Sequence, residues 1–344
     1  MVAMSLGRVV KDLAFRTGAV AAWHRLVNRD TLTVVMFHRV LPESELPSAD
    51  PGYTVSTALF AQCLDFFSRH YRIVSLDDLV SAIGGGPRLP PRALLITFDD
   101  GWDDNLRHAA PLLVERGLPA LVFLATDPVS SRTPWWWQET LSHALREGLR
   151  SFEDLWADVP GQAAPPPPGP DRHPALLVRY GALEEADRER ILAPLSPEPA
   201  TTGQPGRHML TPERALRLGT MGIALGGHGA GHLPLSLLAD PQQDLRRARQ
   251  WLDTFAGEAA GRPVSLSFPH GRYSPRVAAL AKECGFFPLF TSDAVLNDTR
   301  HGMRGDLIGR IEIPAHEISR PDGGLDPHRL ASWLFLRPRR QPAS

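Results

Sequence analysis

Short apolar runs with strand character recur along this chain, each followed by a helical pattern, and that alternation constrains the fold more than any other feature. Residues 32–37 (LTVVMF), 73–74, 93–98 (ALLITF), 120–124 (ALVFL), 223–225, 264–268, 288–291 and 308–313 read as strands. Between them, Ser56 caps a helix with Leu59, Phe60, Cys63, Leu64, Phe66 and Phe67 on one broad face. Ser75 caps residues 76–83, which stop at Gly84, and residues 106–116 stop at Gly117. Thr211 with Pro212 opens a helix to Thr220, Asp240 caps one to Phe255, and further helices fall at 277–284 and near 328–335. Strands joined by helices must run parallel, so seven or eight such units predict a closed or nearly closed α/β barrel. An open doubly wound sheet is the alternative.

The alternation breaks between Asp127 and Arg207, where Trp135, Trp136 and Trp137 stand in a row and Pro165 to Pro168 form a run. This reads as an insertion with helices at 137–146 and 183–192, whose proline-rich middle builds no core of its own. It leaves the C-terminal end of strand 120–124, so it is expected beside the face where such barrels carry their active sites. The tryptophans then pack on the barrel or meet the ligand.

Composition excludes several classes. With 344 residues, 43% of them hydrophobic, the chain can bury a large core. Thirty-seven basic against 38 acidic residues give a net charge of -1, which provides no field for nucleic acid. Cys63 and Cys284 are too few for a disulfide framework. No run reaches the roughly 18–20 apolar residues of a membrane span. Residues 1–30 read as a helical extension, interrupted by Arg8, Lys11, Arg16, His24 and Arg25, without the pattern of a signal peptide. The expectation is a cytoplasmic protein whose extension packs on the barrel, with peripheral membrane contact as the alternative and no obligate protein partner.

Polar residues follow the same end of five strands: His38, Asp99-Asp100-Gly101, Gly226-Gly227-His228, Pro269-His270-Gly271 and Ser292-Asp293. Adjacent buried carboxylates call for a cation or a proton, although Asp-Asp-Gly alone also suits a turn. His228 and His232 face one point if their segment makes a helical turn. Two histidines with one carboxylate suit zinc or a similar divalent ion with positions open to water and substrate.

These residues resemble the motifs of the polysaccharide deacetylases, carbohydrate esterase family 4, which share the nodulation-factor deacetylase homology domain. Thr97-Phe98-Asp99-Asp100-Gly101 is similar to the first motif, His228-Gly-Ala-Gly-His232 to the second and Phe268-Pro269-His270-Gly271 to the third. Met36-Phe37-His38-Arg39-Val40 is similar to the opening strand of bacterial exopolysaccharide members. The resemblance spans about residues 31–314, interrupted by the insertion, and implies a distorted (β/α)7–8 barrel. It implies Asp99 as catalytic base and Asp100, His228 and His232 as ligands of a divalent metal, zinc first, with cobalt, nickel or manganese as alternatives. It further implies hydrolysis of N-acetyl, or O-acetyl, groups of a glycan. His38, Trp102, Asp103, Pro269, His270 and Tyr273 are the candidate substrate contacts. Ser267 and His270 depart from the third motif, which carries an arginine and an aromatic residue. Arg310 is the candidate replacement as partner of Asp99, and His316 is the nearest candidate for the family's last catalytic histidine. A glycan-binding homologue without turnover and an amidase for a non-sugar C–N bond are the rival readings.

Overall fold

The computed structural model describes residues 17–131, 135–161, 164–195, 208–256, 264–303, 305 and 307–340. Its framework is a ring of parallel strands: β1 (Thr31–Phe37), β2 (Ala93–Phe98), β3 (Ala120–Leu124), β4 (Ile223–Gly227), β5 (Val264–Ser267), β6 (Phe286–Phe290), β7 (Leu307–Ile308) and β8 (Ile311–Glu312). Neighbours pair in chain order from β1 to β7, all in parallel. The short β8 then pairs in parallel with β1, Val35 opposite Ile311. The sheet therefore curls back on itself through residues 307–312, and its last staves are two short strands separated by Gly309 and Arg310. Asn297 bridges that break: it accepts from Gly309 N at 2.9 Å and donates to the carbonyls of Gly309 (2.9 Å) and Leu32 (3.2 Å). The expected single strand at 308–313 is thus two.

Strands β1 and β2 are buried along their whole length, which is why their sequences are continuous apolar runs. Alternation still sorts their side chains. Leu32, Val34, Leu95, Leu121, Phe123, Phe290 and Ile308 form one cluster, joined by Leu76 and Leu79 of helix Leu76–Ile83. Val35, Phe37, Leu94, Ile96, Phe98, Val122 and Leu124 pack in a separate cluster with residues of helices such as Thr57–His70. The helix starts follow the capping rules: Ser56, Ser75, Thr211, Ser274 and Asp326 each accept a backbone N–H in the first turn.

The insertion differs from the expectation. Besides Trp137–Arg146 and Glu185–Leu192 it holds helices Phe152–Asp158 and Arg172–Gly181. Their apolar faces bury Leu141, Phe152, Leu155, Val159, Leu176, Leu177, Tyr180 and Leu192 against one another, so the insertion does build a core of its own. The proline run lies in the connection between the second and third of these helices, outside that core.

Helix Ala19–Val27 buries His24, whose ring stacks on Phe335 with centroids 3.8 Å apart, and packs the half-buried Val20 against the barrel core, while Trp23 and Leu26 stay exposed. The rest of the expected extension, residues 1–16, lies outside the described residues. Among the described residues no helix is long and apolar enough to cross a membrane.

Candidate functional site

Period-two alternation carries Thr97 and then Asp99 onto the same side of β2 as Ala93 and Leu95. Asp99 meets Arg310 there. Arg310 sits in the break of the last stave, is 0% exposed, and makes a bidentate pair with the carboxylate at 2.6 and 2.7 Å. Its remaining donors reach the Thr291 carbonyl, Thr97 Oγ1 and Ser267 Oγ, and its guanidinium lies over the Phe123 ring. Ser267 Oγ also donates to Asp99 Oδ2 at 3.2 Å. Burial pushes the Asp99 carboxyl up, but the Arg310 charge and that of His228 outweigh it and hold the group below the usual carboxylate range. The expected Asp99–Arg310 partnership is present, and Ser267 completes it.

Asp100, His228 and His232 converge beside this pair. Asp100 adopts φ +76° and its Oδ2 accepts from Trp102 Nε1 at 2.8 Å. Its Oδ1 lies 3.3 Å from His228 Nε2 and 3.0 Å from His232 Nε2. The histidines do not lie on a helical turn. They flank a loop in which Gly229 (φ +70°) and His232 (φ +52°) take left-handed backbone, and Asp244 holds it by accepting from Ala230 N and Gly231 N. A Cβ at Gly229 would stand 2.9 Å from Asp244 Oδ1, so the glycine is required by contact as well as by dihedral.

The donor set fits a metal. His228 Nδ1 lies 2.8 Å from the Ser267 carbonyl, which only an N–H can satisfy, and His232 Nδ1 lies 2.9 Å from Gln138 Oε1. In the neutral rings both Nε2 atoms therefore present lone pairs toward Asp100 Oδ1, an oxygen buried without a hydrogen bond among the described residues. Three converging acceptors require a cation between them. Burial lowers the His228 pKa, but Asp99 and Asp100 outweigh burial and raise it. A divalent ion would use all three donors. Burial lowers the His232 pKa, with Asp100 opposing.

The cluster forms the floor of a cavity of about 380 Å³. His38 and His270 stand in its wall, His38 with Nδ1 unpartnered among the described residues and His270 at φ +55° with Nε2 3.2 Å from the His232 carbonyl. Other expected contacts are placed differently. Trp102 touches the cavity but is 1% exposed and covered by the Arg39 guanidinium at 4.2 Å, so it supports Asp100 rather than offering a ring face to sugar. Asp103 spends both carboxylate oxygens on Arg107 and Arg214 and lies outside the wall. Pro269 is buried against Gly229, and Tyr273 stacks on Phe268 and donates to Asp293; neither lines the cavity. His316 is on the short helix Ala315–Ile318, its side chain 69% exposed and facing Glu317, and is not brought to the site.

The wall also contains residues that carried no signal in the sequence: Tyr53, Gln138, Glu139, Ser142 and His173. Tyr53 donates to Glu139, whose carboxyl is pushed up by burial. Four of the five belong to the insertion, which therefore stands beside Asp100, His228 and His232. Of the tryptophan triplet, Trp136 is edge-on to His232 and to Trp102, whereas Trp137 packs on the insertion's own core.

No family profile matches the sequence, and no curated protein matches it. Solved structures do. IcaB from Ammonifex degensii is 21% identical with a TM-score of 0.54, over 89% of this chain and 97% of that one. The deacetylase PplD of Streptococcus pyogenes, determined in complex with acetate, is 15% identical with a TM-score of 0.54, over 89% and 99%. A polysaccharide deacetylase from Bacillus cereus is 13% identical with a TM-score of 0.50, over 83% and 65%. At these identities the likeness is one of architecture, and the chain has the fold of the polysaccharide deacetylases.

Proposed function

We propose that this protein is a metal-dependent deacetylase that hydrolyses N-acetyl groups of a polysaccharide or oligosaccharide. The observation that carries the proposal is the meeting of two histidine lone pairs and a buried carboxylate oxygen beside a second, arginine-clamped carboxylate at the floor of an open cavity. Asp100, His228 and His232 would hold a divalent ion, for which zinc suits the donors. Such an ion supplies Lewis acidity, lowering the pKa of water and polarising an acyl carbonyl. Asp99, kept ionised by Arg310, accepts the proton of the attacking water and returns it to the departing amine, so that water and amide become acetate and a free amine. Arg310 is a positioning residue: it sets the direction of the carboxylate and holds its charge. The fold of known deacetylases supports this reading, and so does a cavity walled by polar and aromatic side chains.

The position of His316 favours one rival, a glycan-binding homologue that has lost turnover, since the cavity lacks that histidine. Acetate release from N-acetylated oligosaccharides separates the two. The proposal expects release that chelator abolishes and added zinc restores; glycan binding without release would establish the rival.

A further inference from the structure

We infer that Gln138, carried by the insertion, is the positioning residue that makes His232 a metal ligand. The inference rests on the metal-site reading above and adds to it a second structural unit. Gln138 lies in the first turn of helix Trp137–Arg146 and is 4% exposed. Its Nε2 donates to the carbonyls of Gly231 and His232, both at 3.0 Å. Two carbonyls accept only from an N–H, so the amide has one orientation, with Oε1 turned to His232 Nδ1. An acceptor at that nitrogen places the proton on Nδ1 and the lone pair on Nε2, the atom 3.0 Å from Asp100.

The two histidines are oriented by different means. His228 rests on a backbone carbonyl of β5, which the barrel supplies whatever the side chains are. His232 rests on a side chain from a separate packing unit, and the neighbouring Trp136 packs T-shaped against the same ring with centroids 4.9 Å apart. Undocking of this helix would free the His232 tautomer, although Asp244 would still hold the loop at Ala230 and Gly231. Metal affinity is therefore coupled to the docking of the insertion.

The experiment uses the full chain stripped with chelator and titrated calorimetrically with zinc, comparing wild type, Gln138→Leu and His232→Ala. The expected result is about 10- to 100-fold weaker zinc binding in Gln138→Leu, as for loss of a partner behind a metal ligand, and a larger loss in His232→Ala. A wild type that binds zinc alongside a folded Gln138→Leu within twofold of it would overturn the inference and leave the metal site standing. A wild type that binds no zinc would overturn both. A second readout needs no variant: long-range proton–nitrogen correlation on metal-free wild type should show His232 as the Nδ1–H tautomer, and an Nε2–H tautomer would overturn the inference.

Discussion

The barrel and the insertion each hold part of one site, and they do so with different kinds of contact. The barrel places Asp99, Asp100 and His228 at strand ends and fixes them through ladder geometry, the Arg310 clamp and a backbone carbonyl. The insertion reaches in with side chains, Gln138 to His232 and Trp136 to Trp102, from helices that pack mainly on one another. A site divided in this way has rigid chemistry on one side and a wall that can vary on the other without disturbing the ladder.

That division can be broken from the barrel side first. Arg310→Met would strand the buried Asp99 charge, at a cost of about 3–5 kcal/mol by analogy with broken buried pairs. Chemical denaturation should show this as a loss in the main unfolding transition. From the insertion side, Leu177→Ala in the helical cluster should cost about 2–4 kcal/mol. Here the loss is expected as early opening of the insertion, read by proteolysis or hydrogen exchange, with weakened zinc binding and a barrel transition that stays in place. Global unfolding in a single step would contradict the division.

Asp99→Asn sharpens the chemical side of the comparison. It should keep the metal and lower kcat by a factor on the order of 100, about 2.7 kcal/mol. Loss of metal together with turnover would exchange the roles of Asp99 and Asp100.

The smallest effect belongs to neither region. Burial against Phe335 lowers the His24 pKa from 6.5 to about 3. The folded state thus refuses a proton that the unfolded chain accepts, and stability is present above pH 6.5 and lost as pH falls toward 3. Between pH 6.5 and 5 the loss should be about 1–2 kcal/mol, and His24→Phe should flatten that part of the pH–stability curve. An unchanged slope would show that His24 is not the group responsible.

The readable parts of the sequence are those with a period or a cap. Strand β2 and helix Leu76–Ile83 match their expected limits because an unbroken buried run and a serine cap leave little choice. The strand-end motifs likewise name Asp99, Asp100, His228 and His232, which the fold brings together. The division of the last stave was hidden, because Gly309 and Arg310 interrupt the pairing and not the apolar pattern on either side. The insertion's core was hidden because Leu141, Leu155 and Leu177 are separated by polar and proline-rich stretches and meet only through tertiary packing. Gln138 had no signature at all: an amide acts through the orientation its neighbours impose, and no spacing records that. Trp102 misled in the opposite sense, since an aromatic beside a catalytic motif suggests a sugar platform, while the fold uses its N–H on Asp100 and buries its ring.

The proposed function stands on Asp100, His228 and His232 holding one divalent metal ion. Its most direct test is zinc stoichiometry by calorimetry on the chelator-stripped chain, beside His228→Ala and His232→Ala. About one equivalent is expected in wild type, as a single three-ligand site requires, with loss of that binding in both variants. Wild-type occupancy retained in either variant would contradict it.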